Sequence, residues 1–297
     1  SSDVCSSDLT QSFPSCNETP DPVWCLTNFS CSSPQQISRH NVVSAGIDSV
    51  WAKKKISQFR QLPNSVFDTA IYVDSSTQLV RYRLFTPEKK NQALPLVLVF
   101  HGSGAIGNDN SSQLGILAKL FAQDTQQQKH PCYILAPQFA TRSADYFWDS
   151  THQRLSSFSR PCLQWVLHLV DSLKELPNID KHRIYVIGFS MGGSTVMNAL
   201  ALRPDLFAAG ISIAGIPNLQ SQVTKNPVWL IHGNKDTDNG IESDRQFYSQ
   251  MKKMGGDYKG FLPESQTVQL RSKCFSRQKI NHLAASIQGS IIDACSS

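Results

Sequence analysis

The sequence predicts an α/β protein whose central sheet is mostly parallel and is covered by helices on both faces. Short apolar runs rich in β-branched residues alternate with helix-length segments between about residues 67 and 254, the pattern of a parallel sheet with crossover helices. The runs at 95–100 and 183–187 are apolar without alternation, as in strands buried on both faces. Ligands of such sheets bind at the carboxyl ends of the strands, so the residues after each run are the candidates for function.

The individual elements follow from these runs and from the residues that end them. The strands at 69–73 and 79–85 form a predicted hairpin, because the polar residues Asp74 to Thr77 separate them. Each later strand is an apolar run ended by Gly, Pro or a polar residue, and each helix is a longer segment with apolar residues three and four positions apart. In order, we predict a short helix at 50–59, the hairpin, a strand at 95–100, a helix at 113–123, a strand at 132–136, a helix at 162–176, a strand at 183–187, a helix at 190–202, strands at 209–214 and 228–232, a helix at 241–254 and a last strand within 257–262.

The chain divides into three parts on this pattern. Residues 1–60 form an irregular leader containing Cys, Ser and Pro, residues 61–256 form the α/β domain, and residues 257–297 form an atypical basic tail. The first nine residues resemble a translated adapter sequence, so part of the leader is interpreted as non-native.

Composition excludes several classes of protein. A chain of 297 residues, 40% hydrophobic, is long enough to bury a sizeable core. The sequence contains no run of 18 apolar residues, so we predict no transmembrane helix. The net charge is +5, but the segment from Lys252 to Lys279 holds seven basic and two acidic residues and accounts for the whole excess. Such a segment is more often a solvated tail than a nucleic-acid site, so we predict no nucleic-acid partner.

The eight cysteines bear on the compartment. Four lie within the first 31 residues at spacings that fit no common zinc site, which is typical of an oxidised segment outside the cytosol. Cys132 and Cys162 fall in a predicted strand and helix, where a buried thiol is the usual state. We therefore predict a secreted or periplasmic protein.

A nucleophile is predicted where the strand at 183–187 meets the helix after it. Gly188, Ser190 and Gly192 occupy the turn, and a serine on a sharp strand-to-helix turn needs small neighbours two positions away so that strand and helix approach closely. The same turn aims the N–H of Met191, at the helix start, at negative charge that develops beside the serine. The alternative is an ordinary Gly-rich turn that opens a helix.

Two further loops follow strand ends. The glycine-rich loop that starts at His101 offers a backbone N–H, most directly that of Ser103, for a tetrahedral oxyanion, and His101 itself is interpreted as a structural histidine that holds the loop. Asp236 follows the strand at 228–232 and suits the carboxylate that orients a catalytic imidazole; Asp238 is the fallback, and either acid also suits the start of the next helix.

Residues 137–148 are interpreted as a long aromatic-bearing loop. Trp148 is its candidate substrate-binding residue, as part of a pocket wall or lid. A surface loop that packs its own aromatic side chains is an equal alternative.

The three motifs in this order resemble the α/β-hydrolase superfamily. They are His-Gly-Ser-Gly at 101–104, Gly-Phe-Ser-Met-Gly-Gly at 188–193 and His-Gly-Asn-Lys-Asp at 232–236. The branch with the strongest resemblance holds prolyl-oligopeptidase-like peptidases, polyhydroxybutyrate-depolymerase-like proteins and feruloyl or acetylxylan esterases, and the resemblance covers about residues 66–255. It implies an eight-stranded hydrolase sheet, a Ser–Asp–His triad formed with Ser190 and Asp236, and no metal or organic cofactor.

The triad histidine is where the sequence departs from this family. Members place it in a loop soon after the last strand, whereas only His282 lies downstream of Asp236 here, 46 residues later. Three interpretations remain: His282 is the general base from an unusual loop, the C-terminal forty residues are altered and the triad is incomplete, or an upstream histidine such as His152 is recruited.

The predicted function is the hydrolysis of carboxylic esters, small or polymer-linked, through a covalent acyl-enzyme on Ser190. A serine peptidase of the prolyl-oligopeptidase-like type and a catalytically silent α/β-hydrolase-fold binding protein are the alternatives.

Overall fold

The computed structural model describes residues 49–88, 92–220, 226–233, 236–253 and 258–261. Its strands are β1 (Asp68–Val73), β2 (Leu79–Phe85), β3 (Leu94–Phe100), β4 (Tyr133–Gln138), β5 (Ala144–Asp149), β6 (Arg154–Ser159), β7 (Ile179–Phe189), β8 (Ala209–Ile213), β9 (Val228–Ile231) and β10 (Tyr258–Phe261). Its helices are α1 (Ser49–Gln61), α2 (Ile116–Phe121), α3 (Asp124–Lys129), α4 (Pro161–Lys174), α5 (Met191–Leu202) and α6 (Glu242–Lys253).

Eight of these strands form one sheet in the order β1-β2-β4-β3-β7-β8-β9-β10. Strand β2 is antiparallel to both of its neighbours, β1 and β4, and every other pair is parallel. The predicted mostly parallel sheet is therefore confirmed. The carboxyl ends of β3, β7, β8 and β9 lie at one edge, which gathers the three motif loops there.

Two apolar layers cover the two faces of the sheet, as strand β3 illustrates. Leu96 and Leu98 face the layer that contains α4 and α5, while Val97 and Val99 face the layer that contains α2. All seven residues of β3 are buried, and each fully buried aliphatic side chain contributes about 1.5–3 kcal/mol relative to exposure. This burial on both faces explains why β3 reads as a continuous apolar run.

The interpretation of residues 137–148 as a loop is wrong. Strand β4 continues to Gln138, and residues 144–149 form β5, which pairs with β6 in a separate antiparallel hairpin. The aromatic residues Tyr146, Phe147 and Trp148 lie in this strand. A run of aromatic residues does not distinguish a loop from a two-stranded ribbon, since alternate side chains of a strand point to its two faces.

Two other elements differ in their bounds. The helix predicted at 113–123 starts at Ile116 and is followed by a second short helix, since Gln123 adopts an extended conformation between them. Strand β7 starts at Ile179 rather than at residue 183, and the exposed side chains of Lys181 and His182 hide its first half from an apolar pattern.

Helix α1, within the predicted leader, packs on the domain. The buried side chains of Ile56 and Phe59 form a small cluster with Ile116 and Leu120 of α2. Lys119 adds a hydrogen bond from its ammonium group to the carbonyl oxygen of Leu62, at 2.8 Å. Within the described residues, no helix is long and apolar enough to span a bilayer.

Candidate active site

Ser190 occupies a strained turn at the carboxyl end of β7. Its φ of 55° and ψ of −119° place it in a region that non-glycine residues rarely adopt, at a cost of about 1–3 kcal/mol. The surroundings hold it there: the N–H of Ser190 donates to the carbonyl oxygen of Ile213 at 2.8 Å, and its own carbonyl accepts the N–H of Ser194 at 3.0 Å. Ser190 is half-buried and is the residue directly before helix α5.

The glycines beside Ser190 permit close backbone contacts. A β-carbon on Gly188 would overlap the carbonyl of Gly192, and one on Gly192 would overlap the carbonyl oxygens of Phe100 and His101. Small residues are therefore required for strand, helix and the end of β3 to meet at this turn. The sequence argument for the turn is confirmed at both positions.

The glycine-rich loop after β3 lies against Ser190. A β-carbon on Gly102 would sit 3.8 Å from the Cβ atom of Ser190 and 3.5 Å from the carbonyl oxygen of Phe189. Ser103 opens the 3₁₀ turn Ser103–Ala105, and Met191 is the first residue of α5. Among the turn, loop and cap contacts of the described residues, neither the N–H of Ser103 nor that of Met191 donates a backbone hydrogen bond.

His101 uses both of its ring nitrogens to hold this loop. Its Nδ1 atom bonds the carbonyl oxygen of Gly102 at 2.8 Å, and its Nε2 atom accepts the N–H of Phe139 at 3.0 Å. Burial lowers the pKa of His101, which keeps the ring neutral in this arrangement. The geometry agrees with a structural role that joins the loops after β3 and β4.

The loop after β9 shapes a buried carboxylate at Asp236. Its Oδ1 atom accepts the N–H groups of Asp238 and Asn239, each at 3.0 Å. Its Oδ2 atom lies 3.8 Å from Nε2 of His232, which is too far for a hydrogen bond. The Asp236 side chain is only 5% exposed, and Oδ2 accepts no hydrogen bond from the described residues.

Asp238, the fallback acid, has a different place. Its residue is exposed, and its N–H group serves to hold the Asp236 carboxylate. Neither acid caps α6 through the contacts that the described residues make. The geometry therefore favours Asp236 as the acid of the loop.

The loop after β9 that holds Asp236, called the acid loop, is linked through the end of β8 to the turn Gly188–Gly192 around Ser190, called the nucleophile turn. The side-chain amide of Asn239 donates to the carbonyl oxygen of Ala214 at 2.8 Å. Ala214 directly follows Ile213, whose carbonyl holds the N–H of Ser190. A short chain of hydrogen bonds thus links Asp236, through Asn239 and the end of β8, to Ser190.

The β5–β6 hairpin lies over the start of α5. The hydroxyl of Tyr146 is 3.3 Å from the hydroxyl of Ser194, and the amide of Asn198 donates to Ser157 at 2.8 Å. The N–H of Ser157 donates to the carbonyl of Pro217, beyond β8. Trp148, in the same hairpin, is 62% exposed.

His152 is engaged at the tip of the hairpin. Its Nδ1 atom lies 2.8 Å from Oδ2 of Asp149, and its Nε2 atom lies 2.8 Å from the amide nitrogen of Gln250 on α6. Both ring nitrogens are thus used within this contact, which leaves neither for Ser190 and argues against its recruitment as the base. His282 lies outside the described residues.

The described part of the chain offers no cluster of three or more His, Cys, Asp or Glu side chains suited to a metal ion. Cys132 and Cys162 are both buried and free, as the sequence predicts.

The fold and this site define the class of protein. In chain order, the strained serine follows the fifth strand of the eight-stranded sheet and the buried acid follows the seventh, which is the arrangement of an α/β-hydrolase of the serine hydrolase class. In agreement, residues 162–256 match the prolyl oligopeptidase family.

Proteins with esterase and peptidase names are similar to this chain in sequence or in fold. A 78-residue stretch is 35% identical to the bifunctional acetylxylan esterase/xylanase XynS20E of Neocallimastix patriciarum. A thermostable esterase of known structure is 28% identical with a TM-score of 0.61 over 77% of this chain. The acylaminoacyl peptidase of Pyrococcus horikoshii, 19% identical with a TM-score of 0.50 over 71% of this chain, shares the fold.

The chain spans only part of each of these proteins. The matches cover 25% of this chain and 11% of the xylanase, 61% of the esterase chain and 39% of the peptidase chain.

Proposed function

We propose that this protein is a serine hydrolase that cleaves carboxylic esters through a covalent acyl-enzyme on Ser190. The observation that carries the proposal is the strained Ser190 at the carboxyl edge of the sheet, with the start of α5 directly after it and the glycine-rich loop after β3 packed against it. A site held in this way is preorganised for acyl transfer, because its donors need not reorganise as charge develops.

In the first step, Oγ of Ser190 attacks the ester carbonyl carbon as its proton passes to a general base. The carbonyl oxygen gains the negative charge, which the N–H groups of Ser103 and Met191 stabilise. Collapse of the tetrahedral intermediate expels the alcohol, which takes the proton from the base. Water then attacks the acyl-enzyme by the same route and releases the acid.

Asp236 is the acid that orients this base. Its Oδ1 atom is occupied by two backbone N–H groups, while Oδ2 remains available for an imidazole N–H. Such a carboxylate fixes the imidazole tautomer and stabilises the imidazolium that forms when Ser190 loses its proton.

We assign the general base to His282. Of the histidines that the structure describes, four use both ring nitrogens in hydrogen bonds: His101, His152, His168 and His232. His130 precedes the amino end of β4, at the edge of the sheet opposite to Ser190. His182 lies in the first half of β7, about 25 Å before Ser190 at the rise of an extended strand. His282 follows the acid in the chain order of the family.

An ester is the favoured substrate because the relatives with the higher identities carry esterase names. The substrate is a small or polymer-linked ester, and the exposed Trp148 suits a contact with its acyl or aryl group. The match of residues 162–256 to the prolyl oligopeptidase family favours a peptidase as the second candidate. A silent binding protein is the third, because the only histidine downstream of Asp236 follows it by 46 residues, later than the family places its triad histidine.

We also infer export from the cytosol. The four cysteines in the first 31 residues favour an oxidising compartment.

Steady-state hydrolysis of p-nitrophenyl acetate tests the function. We expect turnover by the wild type, loss by about 10⁴-fold or more in Ser190→Ala, and a loss of similar order in His282→Ala. A panel of acetylated xylan, feruloyl esters and short peptides then separates esterase from peptidase. No turnover by the folded wild type on any of these would contradict the proposal, and an unaffected His282→Ala variant would remove His282 from it.

A further inference from the structure

The buried pair His232 and Asp244 has no part in the chemistry above, yet it lies next to the acid. The Nδ1 atom of His232 is 2.7 Å from Oδ2 of Asp244, and neither side chain is exposed to solvent. His232 directly follows β9, and Asp244 lies in the first turn of α6. The pair therefore joins the two elements that flank the acid loop.

The ring also holds the loop itself. The Nε2 atom of His232 lies 2.6 Å from the carbonyl oxygen of Asn239, which can only accept, so this nitrogen carries a proton. Nδ1 also keeps its proton, which it donates to Asp244. Burial lowers the pKa of His232, but the hydrogen bond to Asp244 and the charge of Asp244 outweigh this effect, so the pKa of His232 is raised. Burial likewise raises the pKa of Asp244.

A buried pair of this kind is a poor source of stability. Removal of two polar groups from water costs several kcal/mol per ion, and apolar residues of similar volume often stabilise as well or better. One oxygen of the pair, Oδ1 of Asp244, is buried without a hydrogen-bond partner among the described residues. The arrangement is better explained by what it positions.

The pair positions Asn239, which links Asp236 to the end of β8. The backbone N–H of Asn239 donates to Oδ1 of Asp236 at 3.0 Å, and its side-chain amide donates to the carbonyl oxygen of Ala214 at 2.8 Å. A shift of the Asn239 backbone would move both contacts together. Misplacement of a catalytic group by about 1 Å reduces rates by about 100-fold.

We propose that His232 and Asp244 are positioning residues for Asp236: they fix Asn239 through its carbonyl oxygen, and Asn239 holds the carboxylate in register with Ser190. This inference rests on the proposed function, in which Asp236 orients the base. The pair does not contact substrate.

Substitutions at Asp244 separate orientation from charge. Asp244→Leu removes the partner of Nδ1 and should lower kcat by about 10–100-fold, because a displacement of the carboxylate by up to about 1 Å costs up to about 100-fold, with KM changed by less than about threefold. Asp244→Asn should rescue most of the rate, because its amide can donate to Nδ1 while Nε2–H still holds Asn239. Equal losses in both variants would overturn the proposal.

A double-mutant cycle tests whether the pair acts through the acid. In the Asp236→Asn background, Asp244→Leu should reduce kcat by less than about threefold, since the carboxylate that it positions is gone. An undiminished effect in that background would show that Asp244 acts elsewhere. Asp74→Leu is the matched control, because it removes another carboxylate–histidine pair, Asp74 with His168 at 2.6 Å, away from the acid loop, and should leave kcat unchanged.

Hydrogen exchange tests the anchor without any activity. The backbone amides of Asp238 and Asn239 should exchange at least about tenfold faster in Asp244→Leu than in the wild type. In Asp74→Leu their exchange rates should equal those of the wild type. Unchanged exchange in a folded Asp244→Leu protein would overturn the proposal. Faster exchange in a protein whose wild type hydrolyses no ester would keep the anchor and overturn the proposed function instead.

Asn239→Ala covers the case in which Asp244→Leu does not fold. The residue is half-buried, and alanine removes only the amide bond to Ala214. We expect a fall in kcat at constant KM that vanishes in the Asp236→Asn background. A fall that persists in that background would contradict the proposal.

Discussion

Gly192, in the first turn of α5, lies directly against the carbonyl oxygen of Phe100, the last residue of β3. The contact joins the turn at Ser190 to the glycine-rich loop after β3, because His101 and Gly102 follow Phe100 in the chain. The distance between these two backbones therefore sets where the proposed oxyanion donors, the N–H groups of Ser103 and Met191, lie relative to Ser190.

Replacement of Gly192 by alanine should therefore destabilise the protein. Its β-carbon would overlap backbone atoms that cannot move independently, so we expect a loss of about 3 kcal/mol or more in the free energy of unfolding. Gly104→Ala is the control, since no heavy atom lies within 4 Å of a β-carbon there, and it should change stability by less than about 1 kcal/mol. Denaturant titrations measure both, and a Gly192→Ala protein as stable as the wild type would contradict the packing described.

Ser103→Pro should remove one oxyanion donor and little else. Proline lacks the N–H group, fits the first position of the 3₁₀ turn, and is compatible with the extended Gly102 before it, at φ −73° and ψ 169°. We expect kcat for p-nitrophenyl acetate to fall by about 10²–10³-fold. Ser103→Ala keeps the N–H group and should lose far less; equal rates in a folded Ser103→Pro protein would remove Ser103 from the oxyanion site.

The carboxylate of Asp74 should stabilise the fold only above acidic pH. Hydrogen bonds from the hydroxyl and N–H of Ser76, with a smaller contribution from His168, lower the pKa of Asp74 to about 2. Because the folded state favours the carboxylate, the stabilisation is complete above the unfolded pKa of about 4 and is lost as the pH falls through the folded value. The difference in Tm between the wild type and Asp74→Asn should shrink between about pH 5 and pH 2, and a constant difference would refute the assignment.

Cys132 should resist alkylation in the folded protein. Burial raises the pKa of its thiol to about 12, and the thiolate is the reactive species. Iodoacetamide at neutral pH, followed by peptide mass spectrometry, should leave Cys132 unmodified until guanidinium unfolds the chain. Alkylation of the native protein at the rate of a free thiol would contradict its burial.

The sequence predicts the sheet and the nucleophile well because both depend on local signals. Strand β3 is buried on both faces and so reads as one apolar run, and the Gly188 and Gly192 positions are dictated by contacts within a single turn. The β5–β6 hairpin is missed because the consecutive residues Ser156 and Ser157 are both fully buried. They accept hydrogen bonds from the N–H of Leu219 and the amide of Asn198, so β6 shows no apolar alternation.

The positioning contacts around the acid are beyond the reach of sequence patterns. Asn239 bonds Ala214, 25 residues earlier, and His232 bonds Asp244 across the start of a helix. Neither contact has a fixed spacing or a residue preference that would single it out. In the sequence, His232-Gly233 indicates only the end of β9. It does not indicate that the ring of His232 bonds the carbonyl oxygen of Asn239.

Covalent labelling of Ser190 by a fluorophosphonate probe tests the central claim most directly, because the probe reacts with a serine that its site activates. Mass spectrometry should find one adduct per folded chain, on the peptide that contains Ser190, and none on Ser190→Ala or on heat-unfolded wild type. A folded wild type that acquires no adduct at Ser190, or a Ser190→Ala variant that is labelled equally, would contradict the assignment of this turn as the nucleophile of a serine hydrolase.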